Sequence, residues 1–336
     1  MIDKAHPPND AGKTALIVIG MHRSGTSATT GALQCLGVQL GRKLYSGHQN
    51  INAKGYFEHS DIADTNEEAL QALGSGWDDV LGKGDAWWQQ DCLDPFTKRI
   101  RKYIQRDFSN SPLWAVKDPR VCRLLPWWLE MLKAERVKPH FLFVVRSPAD
   151  VCQSLTRRDG FSKDKSYLLW ALHYLEAERW SRSYPRSFID FDRFLEAPLD
   201  TFQRVQAELG LSFPVALPQA RNCLEQFISR DLRHHQAADS QDEGSPIQGL
   251  AREVHSIMLR AVGTGDAALN VGDLDAVWKR VEDIQSAFPR LLVEHLREVT
   301  HTRGRLQLTL NRLLRSWSWY SGKPVRFMER WFGRDV

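Results

Sequence analysis

The sequence lacks any long hydrophobic run. No stretch of the 336 residues approaches the roughly 18 to 20 uninterrupted apolar residues that a membrane-spanning helix needs. The N-terminal residues, MIDKAHPPNDAGKTA, also lack the apolar core of a secretory signal. We therefore expect a cytoplasmic protein, and the basic C-terminal residues leave peripheral contact with the inner membrane surface open.

Cysteine is scarce and unclustered. The five cysteines, Cys35, Cys92, Cys122, Cys152 and Cys223, stand among apolar neighbours without C-x-x-C spacing. This pattern argues against a zinc site and favours reduced, mostly buried thiols over disulfides. The net charge is small as well, with a formal value of +4. A charge of this size does not by itself indicate a nucleic-acid partner.

Short apolar segments alternate with helical patterns along most of the chain. The predicted strands are ALIVI (15–19), LWAV (113–116), FLFVV (141–145) and SFIDF (187–191). This alternation predicts an α/β fold, a P-loop-type parallel β-sheet flanked by helices. Ligands of such sheets bind beyond the carboxyl ends of the strands, so the residues that follow these segments are the first candidates for a site.

The C-terminal part of the chain predicts a helical extension of this sheet domain. From Leu274 onward, apolar residues recur alternately three and four positions apart, and Pro289 interrupts the series. That spacing predicts a kinked helix or two helices. We expect a flexible N-terminus (1–13), a sheet domain (14–236), a linker (237–249) and a helical region with a basic tail (250–336).

Two roles for this extension stay open. Its basic, tryptophan-containing end fits an anionic membrane surface. Residues 274–315 equally fit a helical hairpin that packs on the sheet domain or on a second subunit, and the regular apolar spacing favours packing.

The residues after the first predicted strand read GMHRSGTS (20–27) and lead into a helix. A glycine-bracketed loop between a buried strand and a helix gathers backbone N–H groups around an anion, and the helix N-terminus adds its positive end. Gly20 and Gly25 keep the spacing of the nucleoside-triphosphate loop G-x-x-x-x-G-K-[ST], but Thr26 replaces its lysine. The cation is instead Arg23, inside the loop. We therefore predict a phosphate-binding loop.

A second anion-binding pattern follows the third predicted strand. Arg146 comes first, and SPAD then supplies a helix N-cap, a proline at the first helical position and an acid at the third. Ser154 follows Arg146 by eight residues, roughly two helical turns. Beside a phosphate loop, this pattern indicates a second phosphate on the same ligand.

These two motifs resemble those of sulfotransferases that use 3′-phosphoadenosine 5′-phosphosulfate (PAPS). GMHRSGTS looks like the family's 5′-phosphosulfate loop, and RSPADVCQS has its R-x-P-x-D-V-x-x-S spacing for the 3′-phosphate. The segment FDRFLEAPLDTFQRVQAELGL is also similar to the family's pattern, and the resemblance spans about residues 14–235. It is closest to the bacterial, carbohydrate-type and tyrosyl-protein branches.

The resemblance implies PAPS as the donor and assigns residues to each end of it. Arg23, Ser24, Gly25, Thr26 and Ser27 would bind the phosphosulfate, and Arg146 with Ser154 would bind the 3′-phosphate. A sulfuryl group carries less charge than a phosphoryl group, so we expect arginine, lysine and backbone N–H groups to serve without a metal.

The resemblance also implies catalytic residues. Lys117, in the KDP segment after the second strand, matches a lysine near the bridging oxygen, and Arg23 would share the stabilisation of the leaving phosphate. Many cytosolic members carry a histidine base two residues beyond that lysine, where this sequence has Pro119.

The base must therefore come from another segment, and NAKGYFEHSD (52–61) is where the carbohydrate-type and tyrosyl-protein members suggest looking. Glu58 is the predicted base, because apolar neighbours can raise the pKa of a carboxylate toward neutrality. His59 and Asp61 are plausible substitutes.

The expected reaction is sulfuryl transfer to an acceptor hydroxyl, on a carbohydrate or glycolipid by analogy with the family. One alternative is a nucleoside or sugar kinase, since a phosphate loop alone does not name its nucleotide. The other is a non-catalytic nucleotide-binding scaffold protein in polysaccharide assembly.

Overall fold

A computed structural model describes residues 12–46, 55–228, 244–265, 268–286 and 290–315. Within these residues four strands form one parallel sheet in the order β2-β1-β3-β4. The strands are β1 (Thr14–Ile19), β2 (Leu113–Lys117), β3 (Lys138–Val145) and β4 (Arg186–Asp190). They coincide with the four apolar segments of the sequence, so the predicted α/β fold is confirmed.

Helices cover both faces of the sheet, which is why its strands are apolar on both sides. The helices of the described residues are α1 (Thr26–Cys35), α2 (Ser60–Ala72), α3 (Asp94–Phe108), α4 (Arg120–Ala134), α5 (Pro148–Asp159), α6 (Lys163–Ser181), α7 (Phe191–Glu196), α8 (Pro198–Leu209), α9 (Leu217–Phe227), α10 (Pro246–Ala261), α11 (Val271–Ser286) and α12 (Arg290–Arg315). Two short 3₁₀ turns, Trp87–Gln89 and Asp91–Leu93, precede α3.

The alternation of side chains along β1 divides the core into two layers. Leu16 and Val18 pack with residues of α1, α8 and α9. Ile17 and Ile19 face the opposite side and pack with residues of α3, α4 and α6. Because successive side chains of a strand point to opposite faces, one six-residue strand anchors both layers.

The first two helices of the C-terminal region belong to the core of the sheet domain. Leu250, Val254 and Met258 of α10 are buried in the layer that contains α6, and Leu274 and Val277 of α11 are buried with them. The apolar series from Leu274 is therefore divided between α11 and α12, as the predicted break requires.

The bounds of the predicted linker differ from the observed helix. Residues 246–249 form the first turn of α10, after the Ser245 side chain accepts a hydrogen bond from the Gln248 N–H. Residues 237–243 of that linker, like the basic tail from 316 onward, lie outside the described residues.

The expectation of five reduced cysteines is wrong for one pair. Cys35, the last residue of α1, forms a disulfide with Cys223 of α9, although the two are 188 residues apart in sequence. Cys122 and Cys152 are buried free thiols, and Cys92 is exposed. The sequence does not reveal this pair, because the two cysteines come together only through the packing of α9 across α1.

This disulfide predicts a loss of stability when it is removed. A crosslink across so long a loop restricts the unfolded chain, so Cys223→Ser should lower the free energy of unfolding by about 2 to 5 kcal/mol. Urea unfolding followed by tryptophan fluorescence measures the change, and wild-type protein in dithiothreitol should match the variant. Cys92→Ser, at an exposed free thiol, is the control and should have no effect. Equal stabilities of Cys223→Ser and the wild type would show that the crosslink does not stabilise the fold.

Candidate functional site

The order of the strands places the three predicted motifs side by side. β1 pairs in parallel with β2 on one side and with β3 on the other. The loop after β1 therefore lies between Lys117, at the end of β2, and Arg146, just after β3. All three motifs are at the carboxyl edge of the sheet, where open α/β folds bind their ligands.

The loop has the backbone geometry of an anion cradle. Arg23 has φ 70° and Gly25 has φ 87°, and a Cβ on Gly25 would lie 2.1 Å from the Phe191 ring, so only glycine fits there. Gly25 is the N-cap residue of α1 and has no side-chain capping bond. The Ser24 side chain is fully buried beside the Tyr174 hydroxyl. The N-terminus of α1 is thus left for an anion.

The predicted residues of the two phosphate motifs are in direct contact. The Arg23 Nε donates to the Ser154 Oγ at 2.8 Å, and the Arg146 Nη1 donates to the Arg23 carbonyl at 3.1 Å. Arg146 also lies 5.2 Å from the centre of the Phe191 ring. Burial and the neighbouring Arg158 and Arg146 lower the pKa of Arg23. Such a lowering indicates a concentrated positive potential, which suits an anionic ligand.

Lys117 and Glu58 form a buried ion pair. The Lys117 Nζ lies 2.6 Å from the Glu58 Oε1, and the two residues are 4% and 9% exposed. Phe57 has φ 54° and packs edge to face on Phe227. The next residue, Glu58, contacts Lys117 through its side chain. The structure therefore brings together the predicted charge-stabilising lysine and the predicted base.

The other two candidate bases are held elsewhere. His59 accepts from the Ile62 N–H as the N-cap of α2, and its Nε2 lies 2.6 Å from Asp107. Asp61 is bound by Lys43 and Arg106, and although burial opposes this, their hydrogen bonds lower its pKa. Of the three candidates, Glu58 is the one that lines the main described cavity.

Asp118, the neighbour of Lys117 in the KDP segment, has a supporting role. It accepts hydrogen bonds from Asn66 of α2 at 2.8 Å and from the Arg120 Nη1 at 2.9 Å. Trp128 donates in turn to Asn66 at 3.0 Å. The partner of Lys117 is thus Glu58 and not Asp118. Asp118 instead connects the end of β2 to α2 and α4.

A cavity of about 730 Å³ opens beside the loop and the ion pair. Its lining includes Tyr56 and Glu58, just before α2, Gln71 of α2 and residues of α12. Its three arginines are each paired with a carboxylate, Arg120 with Glu67 at 2.6 Å, Arg158 with Asp159 at 2.8 Å and Arg303 with Asp78 at 3.4 Å. The cavity is therefore polar, with its charges largely compensated.

Sequence reasoning missed His22 and Arg158. The His22 ring packs at 4.4 Å on Trp77, and Arg158 lies 5.4 Å from the same indole ring. Burial, followed by the charges of Arg158 and Arg120, lowers the pKa of His22 well below its usual value, which favours the neutral ring. The one available signal was the place of His22 inside GMHRSGTS.

Comparisons with known proteins give distant structural similarity. No family model matches the chain, and no curated protein matches it. The sulfotransferase domain of an olefin synthase from Synechococcus PCC 7002 is 17% identical over 84% of this chain and 99% of that one, with a TM-score of 0.40. Sulfotransferase STF1 from Mycobacterium tuberculosis H37Rv is 15% identical over 63% of this chain and 71% of that one, with a TM-score of 0.41. Sulfotransferase STF9 from Mycobacterium avium is 14% identical over 81% and 76%, with a TM-score of 0.42.

These structures are all sulfotransferases, the family that the sequence motifs resemble. At such identities and TM-scores the similarity carries no argument about activity, so the function rests on the residues of the site.

Within the described ranges, no helix combines the length and the apolar composition of a membrane-spanning segment. The same residues contain no cluster of three or more histidine, cysteine or acidic side chains that could hold a metal ion.

The contacts of Asp107 predict how the segment that carries Glu58 responds to acid. Hydrogen bonds from Arg106 and, against burial, from His59 lower the pKa of Asp107 to about 2. Its carboxylate therefore stabilises the fold above its ordinary pKa of about 4, and this contribution is lost as the pH falls toward 2. The stability difference between wild type and Asp107→Asn should be largest above pH 4 and shrink below it.

Urea unfolding at a series of pH values measures that difference. Asp85→Asn, at an exposed carboxylate, is the control and should give a small difference that does not vary with pH. A difference for Asp107→Asn that stays constant from about pH 5 to pH 2 would contradict the assignment.

Proposed function

We propose that this chain transfers a sulfuryl group from PAPS to a hydroxyl of a neutral, polyhydroxylated acceptor, a saccharide or the sugar of a glycolipid. The observation that carries the proposal is the contact between the two anion motifs, in which Arg23 is hydrogen-bonded to both Ser154 and Arg146. A ligand with one phosphate has no use for both. A nucleotide with a 5′-phosphosulfate and a 3′-phosphate needs two adjoining anion sites.

The residues present fit such a donor. The backbone of 23–27, the uncapped N-terminus of α1 and the buried Ser24 Oγ would hold the phosphosulfate. Arg146 and Ser154 would hold the 3′-phosphate. Thr26 stands where a kinase loop has its lysine, which favours this donor over a nucleoside triphosphate.

The Lys117–Glu58 pair supports the chemistry. When bound, PAPS supplies an electrophilic sulfuryl group, and its transfer leaves negative charge on a phosphate oxygen. Lys117 and Arg23 would stabilise that charge. Glu58 would accept the proton of the attacking hydroxyl at its carboxylate oxygen. The 2.6 Å contact between Lys117 and Glu58 holds the two functions beside each other.

The lining of the cavity supports a neutral, hydrophilic acceptor. Tyr45, Gln71 and Ser75 line it with hydroxyl and amide groups, which are hydrogen-bonded to Asp64, Glu67 and Asp79, and the arginines are paired with carboxylates. An apolar acceptor would remove water from this polar lining without replacing its hydrogen bonds, at a cost in free energy. A strongly anionic acceptor would face Glu58 and Asp64. A sugar exchanges hydrogen bonds with polar groups as water does and adds no charge.

The 3′-phosphate assignment predicts a selective loss of affinity in Arg146→Ala. Isothermal titration calorimetry should show that wild-type protein binds 3′-phosphoadenosine 5′-phosphate (PAP) more tightly than adenosine 5′-phosphate. Arg146→Ala should weaken PAP binding by about 30-fold or more, because it removes a charge-assisted hydrogen bond. Binding of adenosine 5′-phosphate, which lacks the 3′-phosphate, should change little.

Arg221→Ala, an exposed arginine of α9, is the matched control and should bind both nucleotides like the wild type. Equal losses for the two nucleotides in Arg146→Ala would show that the side chain only supports the loop. No loss for either would remove Arg146 from the site.

The role of Glu58 predicts a loss of turnover without a loss of donor affinity. Glu58→Gln retains a hydrogen-bond acceptor for Lys117 but removes the base, so turnover should fall by about 10²- to 10⁴-fold. The assay follows transfer of ³⁵S from labelled PAPS to maltotriose and to methyl α-glucopyranoside. PAP affinity should stay within about twofold of the wild type.

Glu225→Gln, an exposed glutamate of α9, serves as the control for the same chemical change. If Glu58→Gln turned over at the wild-type rate, the base would have to be another group.

A further inference from the structure

Residues 297–312 of helix α12 turn apolar side chains to solvent. Val299, Leu306 and Leu310 are 54%, 66% and 48% exposed, and Leu308 is half-buried. None of residues 297–312 is buried. A helix that packs on a core normally turns its apolar stripe inward and its polar face to solvent. Apolar burial therefore does not account for the inward face of this part of α12.

That inward face lines the cavity beside Glu58. The residues of α12 on the cavity are Thr300, Arg303, Gly304, Gln307, Leu308 and Asn311. All but Leu308 are polar or glycine, so the helix supplies hydrogen-bonding groups to the cavity that Glu58 also lines.

Short and polar contacts hold α12 at this position. A Cβ on Gly304 would lie 2.7 Å from the Gln71 amide nitrogen, so the glycine lets the α12 backbone come close to α2. Arg303 pairs with Asp78 at 3.4 Å, and Arg312 pairs with Glu68 at 3.6 Å. These contacts lie on both sides of Gln307 in the sequence. They set which face of α12 lines the cavity.

Gln307 and Asn311 are four residues apart, one helical turn, and both line the cavity. Each carries an amide that donates and accepts hydrogen bonds at neutral charge. The hydroxyl groups of a sugar are likewise neutral and likewise donate and accept hydrogen bonds. Two such amides on one helix face form a natural contact for neighbouring hydroxyl groups.

We propose that Gln307 and Asn311 of α12 bind hydroxyl groups of the acceptor and thereby select saccharides long enough to reach from Glu58 to this helix. The assignment rests on the proposed sulfotransferase function and adds the residues that set its acceptor specificity. These residues bind the part of the acceptor that does not react.

The experiment measures steady-state transfer of ³⁵S from PAPS to maltotriose and to methyl α-glucopyranoside by wild type, Gln307→Ala and Asn311→Ala. Each variant should raise the KM for maltotriose about three- to tenfold, the effect of one lost hydrogen bond to a neutral group. The kcat should stay within about twofold, since such contacts bind ground state and transition state equally. The KM for methyl α-glucopyranoside should change little, because one sugar ring at Glu58 does not need the α12 contacts.

Thr309→Ala is the matched control, because Thr309 is an exposed residue of the same helix outside the cavity lining. It should leave both KM values unchanged. Urea unfolding of every variant shows whether α12 still folds, and PAP calorimetry shows whether the donor site is intact.

The outcomes separate this inference from the function on which it rests. Wild-type turnover of maltotriose with unchanged KM in both variants would overturn the role of α12 and leave the sulfotransferase intact. PAP binding without transfer to either saccharide would overturn the saccharide acceptor, and the α12 assignment with it. Absence of PAP binding by the wild type would instead overturn the proposed function itself.

Discussion

The parallel pairing of β1 with both β2 and β3 is the constraint on which the site depends. It places three strand ends next to each other, so that a loop, a lysine and an arginine from distant parts of the sequence meet at one edge. The register is fixed by burial, because both faces of β1 contact core residues. A slip of one residue would exchange the side chains of the two faces.

The charged groups at this edge are more costly to the fold than apolar residues would be. Buried ion pairs such as Lys117 with Glu58 lose much of their attraction to desolvation, and well-packed apolar residues often replace them without loss of stability. Arg23 and Phe57 also have positive φ, which costs about 1 to 2 kcal/mol for each such residue. These free-energy costs are concentrated at the proposed functional site, where strained backbone and buried polar groups often occur.

Much of the fold and part of the site could be predicted from the sequence. The four strands were visible as apolar segments, and the phosphate loop was visible through Gly20 and Gly25, because these patterns are local.

The rest depended on contacts between distant segments. The Cys35–Cys223 disulfide requires α9 to cross α1, and the pairing of Glu58 with Lys117 and of His59 with Asp107 joins segments far apart in the sequence. Positions 288, 291 and 295 of the predicted apolar series lie outside the residues whose side chains the structure describes. The polar residues of α12 that line the cavity appear only when the cavity wall is known, because periodicity shows where apolar residues lie and not which face meets the protein.

The measurement that tests the central claim most directly is a calorimetric titration of the wild-type protein with PAP in EDTA, beside ATP with Mg²⁺. The account predicts that PAP binds tightly without a divalent metal and that ATP binds far more weakly even with Mg²⁺, because the proposed site of Arg146 and Ser154 takes a 3′-phosphate that ATP lacks. Tighter binding of ATP, and only with Mg²⁺, would contradict it and assign the loop to a kinase.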